Sequence, residues 1–416
     1  MKIDNNKLDI NFVRSQFPAF KDELCKDWVF LENAGGSYVP NTVIDRLKKF
    51  MISTKVQPYA NYTMSKIAGN EMDIATEYFA KMINAEKKEI IIGGSTSINL
   101  YVLSNALRDS LNPGDEVIVT NQDHEANISP WRRLEKDGIK IIEWKINKDS
   151  AELEINTLLN LLNKKTKLLA VTHCSNIVGS VNNIKQITKL AHSNGTLVMA
   201  DGVSYAPHGF PDVKDLGVDF YTFSLYKTYG PHLALLYGKE EILKKLPNQN
   251  HSFLSGQYPY TLNPGGPNHE ELSSLMGIYD YINSVYDHHF SDKEITIQNK
   301  IKRVNNLIAK HEEDLANPIL QFISENKKLK LIGKNKIISK NRAPTISFTH
   351  INKTSEEVSN LLVANKIATR NDNFYAWRCL EYLGIDTNDG VIRISLVHYN
   401  NQNDVIKLLE ALDKIN

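Results

Sequence analysis

The 416-residue chain carries 49 Lys and Arg against 48 Asp and Glu, a formal net charge of +1, with 42% hydrophobic and 23% charged residues. That length predicts two domains, or one large and one small, and the balanced charge gives no electrostatic case for nucleic acid or an acidic membrane as partner. No apolar run approaches the roughly 20 residues that cross a bilayer, the N-terminus lacks a secretory core, and Cys25, Cys174 and Cys379 have no metal-like spacing. A cytoplasmic protein without a bound metal is expected.

In chain order, residues 1–27 read as an N-terminal segment packed on the small domain. Residues 28–290 read as a large domain in which short apolar runs alternate with helical stretches. "WVFLENAGG", "EIIIGG", "DEVIVTNQ", "KIIEWKI", "KLLAVTHC", "TLVMADG", "DFYTFSL" and "LALLYG" read as strands. "SINLYVLSNALRDSL", "LEINTLLNLLNKK" and "IKQITKLAHSNG" read as helices between them. Such alternation predicts an α/β fold, a mainly parallel sheet covered by helices on both faces, with ligands gathered beyond the carboxyl ends of the strands. A helical tract then runs to about residue 326. Residues 291–416 mix strands ("TISFTH", "GVIRISLV") with helices ("EEVSNLLVANK", "NDVIKLLEAL"), as in a small α+β domain.

Three polar signals follow predicted strands. After "IIIGG", Ser95, Thr96 and Ser97 open a helix whose N-terminus suits a phosphate, although serine and threonine also serve as plain helix caps. Asp201, after "TLVMA", is either a turn former beside Gly202 or a charge aimed into a pocket. Lys227, between "FYTFSLY" and "TYGP", is either a surface cation or a nucleophile whose pKa must be depressed by desolvation or positive neighbours. Taken together, a phosphate site, a buried acid and an activated lysine on one sheet are what pyridoxal 5′-phosphate requires. No G-x-G-x-x-G follows a predicted strand, so a nicotinamide site has no support.

The ordered motifs D-H-E-A-N-I-S-P-W (123–131), H-C-S-N-I-V-G (173–179), A-D-G (200–202) and S-L-Y-K-T-Y-G-P (224–231) resemble the class V aminotransferases, in the branch of cysteine desulfurases and selenocysteine lyases. The resemblance implies the aspartate aminotransferase fold (fold type I), a homodimer and an amino-acid substrate. It implies Lys227 as the imine-forming lysine that also shuttles the α-proton, Asp201 as partner of the pyridinium nitrogen and His124 as the group stacked on the ring. It gives Asn176 the phenolic oxygen or the substrate carboxylate, and Ser95, Thr96 and Ser224 the phosphate. Arg393 matches the carboxylate clamp, Asn33 lines the substrate side, and Gly266 lies in "NPGGPN", which matches a segment reaching the neighbouring subunit's cofactor.

Three departures matter. Tyr226 stands where the desulfurases have histidine, Ser204 where they have a glutamine near the ring oxygen, and Tyr375 where they carry the sulfur-accepting cysteine. If "FYAWRCLEYL" is helical, Cys379 lies one turn beyond Tyr375, displaced by roughly 6 Å along the axis. The expected function is therefore a pyridoxal phosphate enzyme acting at an amino acid's α-carbon, a lyase or aminotransferase, with epimerisation open to the same chemistry. The alternatives are a true desulfurase using Cys379 or another acceptor, and a cofactor-binding protein without turnover.

Overall fold

The computed structural model describes residues 7–292 and 295–415. The expected N-terminal segment thus begins, at 1–6, outside the described residues, as do positions 293–294 beside the expected domain boundary. No helix among the described residues is long and apolar enough to cross a membrane.

Strand β1 (Val29–Phe30) is short and stands apart. The central sheet comprises β2 (Ile90–Gly93), β3 (Glu116–Thr120), β4 (Lys140–Trp144), β5 (Thr166–Thr172), β6 (Leu197–Asp201), β7 (Phe220–Ser224) and β8 (Ala234–Gly238), in the order β2-β8-β7-β6-β5-β3-β4. Only β8 runs against its neighbours. The carboxyl ends of β2, β3, β5, β6 and β7 consequently emerge along one edge. Ligands collect at that edge in open α/β sheets.

The sequence dictates this arrangement through burial on both faces. Val117 and Val119 of β3 pack with Leu100, Leu103 and Trp131 on one side, while Ile118 joins the opposite core with Leu169 and Val171. A strand covered by helices on both faces reads as a continuous apolar run, as "EVIVT" and "TKLLAVT" do. The covering helices show the complementary period. In Ile184–Ser193 the buried positions are Ile184, Ile187, Thr188 and Ala191, one stripe of a 3.6-residue repeat.

The chain beyond residue 290 builds a second, antiparallel sheet. Its strands are β9 (Leu329–Leu331), β10 (Thr345–His350), β12 (Arg370–Asp372) and β13 (Val391–Ser395), ordered β12-β13-β10-β9. Helices Ser355–Ala364 and Gln402–Ile415 and the far end of Ile297–Glu325 share its apolar core. β1 pairs in parallel with β11 (Ile367–Ala368), so the chain ahead of the central sheet is tied to the stretch that builds the second sheet. The helical tract expected up to residue 326 is three helices, His269–Ser274, Met276–His289 and Ile297–Glu325.

Candidate active site

Lys227 closes a single 3-10 turn, Leu225–Lys227, directly after β7. The turn is fastened on both sides: Leu225 N donates to Leu233 O (2.8 Å) and Gly230 N to Leu225 O (2.9 Å). A Cβ at Gly230 would come within 2.7 Å of the end of the Ile278 side chain and 3.2 Å of Leu225 O, so the return leaves little room for a side chain there. Lys227 is left 8% exposed. Burial, and then the Arg393 guanidinium, pull its amine down to about 8, while Asp201 and Glu32 act in the opposite sense.

Asp201 ends β6, the strand paired with β7. Its Oδ1 accepts from Val203 N at 2.9 Å, and burial pushes the carboxyl up to about 6 against the pull of that amide and of Lys227. At Gly202 a Cβ would meet the Tyr221 hydroxyl at 2.1 Å, which fixes glycine where the chain leaves the strand.

These two groups line a cavity of about 210 Å³ together with Ser95, Thr96, Ser224, Ser204, Tyr226 and His232. Ser95 does cap its helix, accepting from Ile98 N at 3.2 Å, and Thr96 Oγ1 lies 2.9 Å from Ser224 Oγ. The plain capping role and a seat at the cavity therefore coexist in one residue. His124 forms another wall. Its Nδ1 accepts from Ala126 N at 3.0 Å, which leaves the proton on Nε2. Burial first, then Lys227 and Arg393, lower its pKa to about 3, so the ring is neutral. The neighbouring Asp123 holds that loop: it accepts from Thr120, from Asn127 Nδ2 (2.8 Å) and from Thr172 N (3.1 Å).

Asn176 follows β5 and lines the same cavity. Its Nδ2 donates to Phe374 O at 2.9 Å, and its buried Oδ1 has no hydrogen-bond partner among the described residues. Asn33 lines a smaller space behind Lys227 with Ser204 and His208. The Asn33 amide is already engaged: Nδ2 donates to Ser395 O (2.7 Å) and Asn400 Oδ1 (3.2 Å), and Oδ1 accepts from Tyr399.

Three expected residues stand outside these cavities. Arg393, in the middle of β13, is buried above the site; its Nη1 donates to Asn176 O at 3.3 Å, and Nη2 lies 3.9 Å from Glu32 Oε1. Tyr375 is 66% exposed, its ring tilted over His124 at 5.3 Å. Gly266 lines a separate groove of about 1030 Å³ with Tyr59, Ile92, His251 and Tyr258.

The sequence matches the family described as Aminotransferase class-V over residues 29–286 and 292–408. The chain belongs to the class V aminotransferases. It is 36% identical over 99% of its length to an aminotransferase-like protein, FGM3, of Gibberella zeae, covering all of that protein. It is 30% identical to a cysteine desulfurase of Serratia proteamaculans, over 98% of each chain. In structure it resembles the cysteine desulfurase CsdA of Escherichia coli, with a TM-score of 0.83 at 24% identity over 98% of both chains, a likeness of fold. The protein is thus a pyridoxal phosphate-dependent enzyme of fold type I.

Within this class V enzyme Cys379 is withdrawn from the cavity and Cys174 is held in its wall as a buried thiol. The expected helix through Tyr375 does not form: Phe374 and Tyr375 have φ of 50° and 57°, and the helix spans Trp377–Tyr382. Glu125 N donates to Tyr375 O at 2.7 Å, which pins the turn to the His124 loop. Cys379 is fully buried, and burial pushes its thiol up to about 12. Cys174 lines the cavity but is buried and raised to about 12 as well. Sequence reasoning gave no role to Glu32, Asp123, Phe374 or His232. Asp123 was adjacent to the recognised histidine, and Glu32 to the recognised asparagine; the partners of Phe374 and His232 are set by the tertiary fold.

Proposed function

We propose that the protein binds pyridoxal 5′-phosphate through Lys227 and acts at the α-carbon of an amino acid as a lyase or aminotransferase without a persulfide step. The observation that carries this reading is the shared cavity of Lys227 and Asp201, rimmed by the hydroxyls of Ser95, Thr96 and Ser224. The residues fit the group: a partly neutral buried amine for the aldehyde, a carboxyl for the ring nitrogen, hydroxyls and a helix N-terminus for the phosphate, and the unpartnered Asn176 Oδ1 for a polar ring substituent.

Bound, the cofactor supplies an electron sink for the pair released at the α-carbon. The chain's own residues divide the remaining work. Arg393 offers a guanidinium to the substrate carboxylate, with the Phe374 ring packed under it. Lys227, with an amine near neutrality, takes a proton from the α-carbon and returns one. Asp201 would offer its carboxylate to the ring nitrogen, and neutral His124 would wall the cofactor without adding positive charge.

The burial of Cys379 and Cys174 supports a reaction without sulfur transfer to the protein. The relatives named as cysteine desulfurases keep that second reading alive, with an acceptor outside the chain. A homodimer is part of the same proposal, supported by the open groove around Gly266. So is a chain of an N-terminal segment and two units divided near residue 290.

The test is an absorbance titration of purified, cofactor-loaded protein with a panel of amino acids, cysteine included. Conversion of the bound cofactor to its aminated form identifies an aminotransferase and its donor. Pyruvate from a β-substituted amino acid, with the starting spectrum regained, identifies a lyase. Alanine with sulfide from cysteine replaces this proposal by the desulfurase reading, and a chain that binds no cofactor removes both.

A further inference from the structure

The proposed cofactor carries a phosphate monoester, about −1.5 to −2 in charge at neutral pH. Something in the cavity must compensate it. Among the lining residues Asp201 and Lys227 oppose one another, and Lys227 is committed to the aldehyde. His124 is neutral, and burial also keeps the Cys174 thiol and the Tyr226 hydroxyl protonated. The helix Thr96–Arg108 contributes about half a positive charge at its N-terminus. That leaves most of the anion uncompensated.

His232 is the remaining lining group able to carry positive charge. It sits two residues beyond Gly230, where the return of the turn brings it back to the cavity wall. Its ring is stacked on Tyr226, with centroids 4.6 Å apart and planes within 6°. The Tyr226 backbone is in turn anchored, its carbonyl accepting from Ser37 N at 3.1 Å. The stack lays the exposed His232 imidazole at the cavity that Ser95, Thr96 and Ser224 also line. A charged ring donating to a phosphate oxygen forms the stronger, charge-assisted kind of hydrogen bond.

We propose that His232 is the cationic ligand of the cofactor's phosphate, held at the cavity wall by its stack on Tyr226. The inference rests on the cofactor reading above and deepens it. It assigns a binding residue rather than a catalytic one.

The experiment compares pyridoxamine 5′-phosphate with pyridoxamine, which lacks the phosphate, in fluorescence titrations of cofactor-free protein. Neither ligand forms a bond to Lys227, so affinity is read without turnover. His232→Gln is expected to weaken the phosphorylated ligand about tenfold or more while leaving pyridoxamine unchanged. His232→Lys is expected to restore part of the loss. Equal weakening of both ligands, or none, overturns the inference while the cofactor reading stands. Wild-type protein that binds neither ligand overturns both. Thermal unfolding of the variants without ligand shows whether the fold is intact; a His232→Gln chain that unfolds earlier yet still discriminates against the phosphate alone supports the proposal.

Discussion

The Arg393 guanidinium carbon lies over the Phe374 ring, 3.6 Å from its centroid. The same phenylalanine offers its carbonyl to Asn176, whose own carbonyl accepts from Arg393. Ring, amide and guanidinium form one closed set. A buried cation–π contact of this kind contributes about 1–2 kcal/mol. Phe374→Ala is expected to raise the KM for the amino-acid substrate about tenfold with a smaller change in kcat, measured by steady-state kinetics. An unchanged KM would show that the ring does not orient the clamp.

The depressed Lys227 amine gives a signed test. Arg393 lowers its pKa and Asp201 raises it. Arg393→Gln should therefore move the amine upward and Asp201→Asn downward, read by NMR titration of reductively methylated, cofactor-free protein. Stability follows with a definite sign. The folded amine gives up its proton near pH 8, whereas an unfolded lysine does so near 10.5. The cost of the buried charge is fully present below pH 8 and is relieved as pH rises through that window, on the order of 3 kcal/mol. Shifts of like sign in the two variants would contradict this electrostatic account.

Asp123 supports His124 without facing the cavity. Asp123→Ala leaves the Thr172 amide and the Asn127 side chain without their buried acceptor. A loss of about 2–4 kcal/mol is expected in urea unfolding, together with reduced cofactor affinity. Stability within 0.5 kcal/mol of wild type would mean that water replaces the carboxylate, roughly the scatter of an ordinary surface change.

Cys379 separates the two proposed reactions. Cys379→Ala removes a buried sulfur and is expected to cost about 1–2 kcal/mol while turnover persists. Loss of turnover in a folded variant would make Cys379 a sulfur acceptor after all.

Glu125 links the His124 loop to the helix after the turn: its carboxylate meets Arg378 at 3.1 Å, with both side chains 22% exposed. Arg378→Ala should cost only about 0.5–1 kcal/mol globally. Its larger effect is expected in hydrogen exchange, where the Glu125 amide, bonded to Tyr375 O, should exchange faster.

The sheet and its site edge were legible because strands buried on both faces must be apolar runs, and because the polar residue ending each run is conspicuous. Lys227 and Asp201 stand out for that reason. "WVFLENAGG" misled in length: the strand is only Val29–Phe30, since Gly35 N and Gly36 N fold back onto Glu32 O and Asn33 O. "FYAWRCLEYL" misled at its start. The left-handed pair Phe374–Tyr375 is held by Asn176 and Glu125, partners about 200 and 250 positions away in the chain. No local pattern encodes such contacts. His232 was hidden similarly, because only the folded turn lays it on Tyr226.

The pairing of β1 with β11 has a mechanical side. Leu31 O accepts from Ser395 N, and the Asn33 amide is bonded to Ser395 and Asn400. Glu32 and Asn33 are therefore coupled to the same body as Arg393, although they lie in the stretch expected to belong to the large unit. A rocking of that body against the central sheet would carry the carboxylate clamp and the wall beside it together. The clamp's own geometry would be preserved while its distance from Lys227 changed, so grip on the substrate and access to the amine would be set by separate joints of the chain.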